Sequence, residues 1–237
     1  MKRLPLLLCI FLAFCVASGC AHNPKDEKTA RQLADEGMKE FQDKDYKKSI
    51  DAFEQLRDWY PFSKYTILAD LKIADAYFNM KKYQEAVSAY ETFERLHPRN
   101  EAVPSVIYRI GVCHYNQLDT IDRDQTPAKK AIEAFTRLQN QFPESEYAEK
   151  AETPLQECRK SLADHELYVG RFYFKSKHYE AALARFQTVV EQYPEVGDVA
   201  TARDYIKQCN QAMNEQQAAG DAALAPEPEV EQNTGTE

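Results

Sequence analysis

The residues of this 237-residue sequence that could carry out chemistry are few and scattered. The five histidines stand singly, and there is no G-x-S-x-G or H-E-x-x-H arrangement. Only seven glycines are present, and none forms a phosphate-binding loop. Asp119, Asp122 and Asp124 lie close together, but the glycine and distal glutamate of a calcium loop do not accompany them, so we interpret this stretch as a solvated loop. We therefore predict no catalytic site, no metal and no cofactor.

Cys20 is the exception, because its position predicts a covalent modification. Lys2 and Arg3 precede the uncharged apolar run 4–16, which is too short to span a bilayer comfortably and is typical of a secretory signal. The run ends in Ala17-Ser-Gly-Cys20, which resembles the bacterial lipobox. That resemblance implies cleavage before Cys20, acylation of this residue and, with Ala21 next, the periplasmic face of the outer membrane. The alternative is an ordinary signal peptide and a free Cys20 thiol.

Charge and the remaining cysteines exclude other classes. Without Lys2 and Arg3, the 30 Lys and Arg become 28 against 38 Asp and Glu, which gives a formal charge of −10. This argues against nucleic acid as a partner, since nucleic-acid binding needs a basic surface. Cys113, Cys158 and Cys209 form no C-x-x-C pair, which argues against a zinc knuckle or a thioredoxin motif. They suit buried positions on helices, and one disulfide remains open as an alternative.

A repeated pattern organises the rest of the chain. A small residue, an aromatic residue, an apolar residue and a proline recur at the same offsets in four segments. Phe53 and Tyr90 are 37 residues apart, and so are Pro61 and Pro98. The four segments are Tyr46–Pro61, Tyr83–Pro98, Ala128–Pro143 and Tyr179–Pro194. Each follows a stretch with a small residue that should face a helix partner; these residues are Gly37, Ala74, Gly111 and Gly170.

Gly and Tyr in one helix, Ala and Phe in the next, and a closing Pro are the tetratricopeptide pattern. We therefore predict an all-α, tetratricopeptide-repeat superhelix (an α-solenoid) of about five helix-turn-helix units; the alternative is a generic helical bundle. The predicted organisation is a signal peptide at 1–19, a lipidated tether at 20–28, and units one to three at 29–144. A linking helix, unit four and a capping helix follow at 145–215, and a disordered tail at 216–237.

Three stretches depart from the regular step. The polar run Leu118–Thr126 predicts a longer loop within unit three. Ser145–Ser161 predicts a long or doubled connecting helix that Pro154 kinks or breaks, dividing the array into two binding halves. Gly197–Met213 predicts a fifth first helix without a second one.

The turn after unit one carries three aromatic residues, Tyr60, Phe62 and Tyr65. On the next helix, a face opposite the expected core holds Leu71, Asp75, Phe78 and Asn79. Apolar anchors beside a few polar groups would suit an extended peptide with aromatic side chains. The alternative is that Phe62 and Phe78 bridge adjacent units.

These residues resemble one family. A lipobox-like Cys20, helical repeats, Trp59-Tyr-Pro-Phe62, Leu96-His-Pro98, Asp122-Arg-Asp124 and a longer link to unit four are similar to the BamD (ComL) family. The resemblance implies a non-catalytic, lipid-anchored scaffold of the β-barrel assembly (BAM) complex. Its partners would be a BamA-like barrel subunit, other BAM lipoproteins and unfolded outer-membrane β-barrel proteins.

The resemblance also implies which residues bind. The amino-terminal repeats would receive an aromatic-rich carboxy-terminal signal through Tyr60, Phe62, Tyr65, Asp75 and Phe78. The carboxy-terminal repeats would dock on a periplasmic domain of BamA, with Arg171 and Arg185 as charged contacts. The short loop before Asp122 and the short tail put accessory partners in doubt. The alternative family is a periplasmic repeat protein of the Tol–Pal, cell-division type, which usually lacks a lipobox.

Overall fold

The computed structural model describes residues 28–224, and this part of the chain is helical with no strand. The signal peptide and Cys20 therefore lie outside the described residues, as does 225–237. None of the described helices is long and apolar enough to cross a membrane. The helices are α1 (Ala30–Gln42), α2 (Tyr46–Trp59), α3 (Thr66–Asn79), α4 (Tyr83–Leu96), α5 (Val103–Tyr115), α6 (Thr126–Gln141), α7 (Glu146–Lys150), α8 (Glu152–Lys175), α9 (Tyr179–Gln192) and α10 (Val199–Leu224).

Four helical hairpins confirm the predicted repeat: α1–α2, α3–α4, α5–α6 and α8–α9. Each second helix ends just before a proline, whose ring disfavours helical geometry in the preceding residue. Three of the hairpin turns contain a lysine with left-handed φ near 60°, at Lys44, Lys81 and Lys177. In the first turn, the Asp45 N–H then donates to the Glu40 carbonyl, which caps α1.

The small residues predicted at the crossings lie where the two helices of a hairpin meet. A Cβ added to Gly37, Gly111 or Gly170 would stand 2.8, 2.4 or 2.6 Å from a phenylalanine ring of the second helix. The Ser49 hydroxyl also donates to the Gly37 carbonyl at 2.9 Å. The rings of Phe53, Phe135 and Phe186 fill these spaces and are fully buried. Each glycine therefore allows an aromatic ring of the second helix to approach the first helix closely. This contact with a ring, rather than a contact with another small residue, is the reason for the glycine.

The connector after unit three is a doubled helix, as the sequence predicts. The helix is interrupted at Ala151, between α7 and α8, and Pro154 is the third residue of α8. Proline has no N–H to donate to the carbonyl four residues earlier, here that of Lys150, and its ring clashes with that carbonyl. The interruption at Ala151 is therefore the break that Pro154 was predicted to cause. The 24 residues of α8 thus form both the link and the first helix of unit four.

The buried side chains form separate clusters along the array. One cluster joins α3–α6 to the start of α8 and includes Leu162, whereas another begins at Leu167 and joins α8, α9 and α10. A smaller cluster joins α1, α2 and α3. The loop of unit three is held against α8, since the buried Gln125 accepts a hydrogen bond from Ser161.

The prediction that residues from 216 onward lack regular structure is wrong for 216–224, because α10 continues to Leu224. Residues 214–221 are exposed, so burial does not order them. Adding a residue to an existing helix avoids the cost of nucleation, and Gln and Ala are strong helix formers. The predicted start at Gly197 is also early, since Asp198 caps α10 by accepting from the Thr201 N–H.

Candidate functional site

The first helices of units one to three carry a row of alternating cations and aromatic rings. The Lys72 ammonium of α3 lies 4.8 Å from the centroid of the Phe41 ring of α1. One unit later, the Arg109 guanidinium of α5 lies 4.8 Å from the centroid of the Phe78 ring of α3. Such contacts between a cation and a ring face are attractive. We call the five residues Phe41, Lys72, Asp75, Phe78 and Arg109 the cation–aromatic row.

Asp75 is the acidic member of this row and is held from two sides. Its carboxylate accepts from the Tyr90 hydroxyl at 2.7 Å and from the Lys72 ammonium at 2.9 Å. Tyr90 is fully buried, and burial, with the neighbouring Asp75 as the next cause, raises the pKa of its hydroxyl. Tyr90 therefore stays protonated and donates to Asp75. The carboxylate is fixed at the surface, with its side chain 16% exposed.

The row can offer three kinds of contact to a partner. Lys72 and Arg109 are cations that can bind a carboxylate, and the rings of Phe41 and Phe78 can contact apolar or aromatic side chains. Asp75 can accept backbone N–H groups of an extended chain. The arrangement therefore suits binding of a peptide segment rather than catalysis.

The five predicted groove residues separate into three groups. Asp75 and Phe78 belong to the row on α3. Tyr60 and Tyr65 pack against the buried cluster of α1–α3. Phe62 is fully exposed, with a relative accessibility of 101%. Phe78 contacts Tyr83 of the same unit edge-on, with ring centroids 6.0 Å apart. Its contact with Arg109 is the one that joins two adjacent units, which is what the alternative prediction for Phe78 stated.

Sequence reasoning missed Phe41, Lys72 and Arg109, although a signal was present. Phe41 and Phe78 are 37 residues apart, as are Lys72 and Arg109, and 37 is the repeat step. A cation and a ring repeated at this step lie on equivalent positions of consecutive first helices. Their pairing across units required knowledge of how the hairpins stack.

The two predicted docking arginines lie on different helices of unit four. Arg185 of α9 pairs with Glu166 of α8 at 3.0 Å. Arg171 of α8 is exposed, and its guanidinium lies 5.9 Å from the centroid of the Tyr205 ring of α10. Tyr168 and Phe172 of α8 are also exposed, 47% and 63% respectively. The unit therefore presents an exposed arginine beside two exposed rings.

The thiols of the described residues are buried and free: Cys113, Cys158 and Cys209. Burial raises the pKa of Cys113 and of Cys158 to about 12, so both thiols stay protonated and unreactive. Asp124 accepts from the Thr126 N–H at 3.0 Å and begins α6, which gives it a structural role. Within residues 28–224, no group of three or more His, Cys, Asp or Glu side chains could hold a metal ion.

A groove lies between α4, α5 and α6. It has a volume of about 350 Å³, and its lining includes His114, Lys130 and Glu133. Arg137 of α6 pairs with Glu94 of α4 beside this groove, with one Nη–Oε distance of 3.2 Å. The charges of both signs along its wall balance one another, so the groove favours no single class of charged ligand.

Comparison with known proteins gives consistent results. Residues 26–224 match a family model described as YfiO, outer membrane lipoprotein. The chain is similar to the outer membrane protein assembly factor BamD of Vibrio cholerae, with 29% identity over 196 residues that cover 78% of this chain and 81% of that protein. It is 25% identical to the factor of the same name from Caulobacter vibrioides over 182 residues, 74% of this chain and 60% of that protein. It also resembles the solved structure of a thermophilic tetratricopeptide protein from Thermus thermophilus, with 15% identity, a TM-score of 0.42, and coverage of 78% of this chain and 99% of that one.

Proposed function

The chain belongs to the YfiO family of outer membrane lipoproteins, and we propose that it acts as an outer membrane protein assembly factor. The relatives from Vibrio cholerae and Caulobacter vibrioides carry this function in their names. The protein would be anchored by acylated Cys20 at the periplasmic face of the outer membrane. Its role would be to bind other proteins without catalysing a reaction, within the β-barrel assembly complex.

The cation–aromatic row is the observation that carries the proposed substrate site. Unfolded β-barrel proteins would bind there through a carboxy-terminal segment rich in aromatic residues. Phe41 and Phe78 would contact the aromatic side chains, and Lys72 or Arg109 would pair with the terminal carboxylate. Tyr60 and Tyr65 would stabilise this surface indirectly, because they pack between the first two units.

Peptide binding tests this site. A labelled peptide with the last residues of an outer-membrane β-barrel protein, ending in Phe, would be titrated with the full chain by fluorescence anisotropy. We expect Phe78→Ala and Arg109→Ala each to weaken binding about tenfold, which corresponds to ~1.4 kcal/mol. Phe172→Ala, which removes an exposed ring of unit four, is the matched control and should leave affinity unchanged. Equal affinity of all variants would refute the assignment.

A second surface would dock the barrel subunit. We propose that Arg171, with Tyr168 and Phe172 beside it, contacts a periplasmic domain of a BamA-like protein. Arg185 already pairs with Glu166, so it would contribute mainly by shaping this surface. Exposed aromatic residues and arginines dominate the binding energy of many interfaces.

Co-purification of the barrel subunit from outer membranes distinguishes the contributions of Arg171 and Arg185. Arg171→Glu should reduce recovery of the barrel subunit several-fold, whereas Lys207→Glu on the exposed part of α10 should not. Arg185→Glu should have an intermediate effect, because it places two carboxylates beside each other. Undiminished recovery with Arg171→Glu would exclude this docking surface.

A further inference from the structure

The corner between α2 and α3, residues 59–67, is the most apolar exposed segment of the described chain. Three of the seven large hydrophobic side chains exposed in residues 28–224 occur within these nine residues. Trp59 is 49% exposed, Phe62 is 101% exposed and Ile67 is 40% exposed. The other four are Leu96, Ile121 and the pair Tyr168 and Phe172 on α8. Clustered exposed apolar side chains indicate an interaction surface.

The amino-terminal end of the described chain is attached to this corner. The Tyr60 hydroxyl donates to the Lys28 carbonyl at 2.9 Å. The Lys28 ammonium also pairs with Glu36 of α1, at 2.6 Å. The polypeptide that leads toward Cys20 therefore leaves the fold beside Tyr60.

The tether to the lipid anchor is short. Eight residue steps separate Cys20 from Lys28, and a fully extended chain spans at most ~3.6 Å per residue, or about 29 Å in all. If the acyl chains of Cys20 lie in a leaflet, the corner cannot be farther from the bilayer surface than this reach. No other described turn is restricted in this way by so few residues.

The later turns on the edge of the array that holds the corner 59–67 expose different side chains. The start of α1 and the ends of α2, α4, α6 and α9 share one edge, because consecutive helices of the hairpins are antiparallel. The later turns expose carboxylates, at Glu101, Glu144, Glu195 and Asp198, and the end of α4 and the turn after it also expose Leu96 and Arg99. The first corner instead exposes aromatic rings and the ammonium of Lys64. Trp at the headgroup level and Lys reaching toward it are typical of side chains at a membrane interface.

We propose that the corner 59–67 contacts the bilayer that holds the lipid anchor. Trp59, Phe62 and Ile67 enter the interfacial region, and Lys64 lies at the level of the phospholipid phosphates. This proposal rests on the proposed lipidation of Cys20. The corner then acts as a second attachment point, and two attachments restrict how the array rotates about its tether. The cation–aromatic row would keep one orientation relative to the membrane.

Trp59 provides a direct probe, because it is the only tryptophan of the chain. The full lipidated protein would be reconstituted in phosphatidylethanolamine–phosphatidylglycerol vesicles, with and without brominated acyl chains. We expect a blue-shifted Trp59 emission and at least twofold quenching by brominated lipid. Phe62→Ser should reduce this quenching at least twofold, whereas Ile121→Ser, which changes an exposed apolar side chain in the loop of unit three, should not.

Flotation of the same vesicles separates the two proposals. Protein that floats while its Trp59 emission is unaffected by brominated lipid and is quenched by aqueous iodide would overturn the corner contact alone. Protein that does not float would overturn the anchor, and the corner contact with it. If Phe62→Ser weakens peptide binding and leaves brominated-lipid quenching unchanged, the corner binds substrate rather than lipid, which also overturns the proposal.

Discussion

The second helical hairpin, α3–α4, meets the same packing requirement as the other three with different chemistry. In the first, third and fourth hairpins, a glycine faces a buried phenylalanine ring at the crossing. In the second, Ala74 and Tyr90 occupy these positions, and both are fully buried. The Tyr90 hydroxyl donates a hydrogen bond to Asp75, the residue that follows Ala74. The equivalents of Asp75 in the other units are Met38, Val112 and Arg171.

This difference separates what holds the array together from what its surface can bind. A phenylalanine at the crossing needs only space, whereas a tyrosine there also needs an acceptor. Satisfying that hydroxyl places a carboxylate on the exposed side of α3, beside Lys72. The hairpin that departs from the common pattern is thus the one that forms the centre of the cation–aromatic row.

The largest effect should come from closing the space at a glycine crossing. In Gly111→Ala the new Cβ would lie 2.4 Å from the Phe135 ring, and that ring is fully buried and cannot swing aside. Overpacking of this kind costs roughly 1–3 kcal/mol, and we expect the upper end here. The free energy of unfolding, measured by urea denaturation with circular dichroism, reports the loss.

Gly220→Ala is the matched control. A Cβ at Gly220 meets nothing within 4 Å, so this change should stabilise α10 by up to about 1 kcal/mol through helix propensity.

Ala74→Gly, at the crossing of the second hairpin, should lower the free energy of unfolding by about 1 kcal/mol, because glycine has a lower helix propensity than alanine. If Gly111→Ala changed the free energy of unfolding no more than a surface substitution does, the glycine would not be required at this crossing.

The next largest effect concerns the hydroxyl that distinguishes the second hairpin. Tyr90→Phe removes the donor to Asp75, which keeps Lys72 as a partner, and we expect a loss of about 1 kcal/mol. Peptide affinity should also fall, because Asp75 would no longer be fixed in the row. Urea denaturation and anisotropy measure the two quantities on the same variant.

Phe135→Tyr provides the converse test. Val112 stands where the second hairpin has Asp75, so the added hydroxyl would be buried beside an apolar side chain, at a cost of ~1–3 kcal/mol. The double variant Phe135→Tyr with Val112→Asp should recover part of this loss. Absence of any recovery would mean that the tyrosine–aspartate pair is not transferable between units.

Local spacing was sufficient to predict the hairpins, because the small residue and the aromatic ring that recur at fixed offsets contact each other within one unit. The same reasoning located Asp75 and Phe78 on one helix face. It could not pair Lys72 with Phe41 or Arg109 with Phe78, because these contacts depend on the rotation between successive hairpins. It also assigned Phe62 to the groove; the structure shows this ring fully exposed in the turn, and its role in peptide binding stays a prediction.

The smallest effect should be a pH dependence that the third hairpin has and the second lacks. His114 follows the Gly111 crossing by three residues, where the second hairpin has Tyr77. His114 is only 6% exposed, and burial, followed by the nearby Lys130, lowers its pKa from the ordinary value of 6.5. Glu133 opposes this shift without reversing it.

The direction of the pH effect follows from proton uptake. When pH falls below about 6.5, the unfolded chain protonates this histidine before the folded chain does, so the folded state loses stability until the lowered folded pKa is reached. His114→Gln should remove that contribution, leaving a smaller drop in unfolding free energy between pH 7.5 and pH 5.5 than the unaltered protein shows. His178→Gln, at an exposed histidine in the turn of the fourth hairpin, controls for the general effect of replacing a histidine by glutamine. Were both variants to retain the full drop, burial of His114 would not be its source, and the second and third hairpins would respond to acid alike.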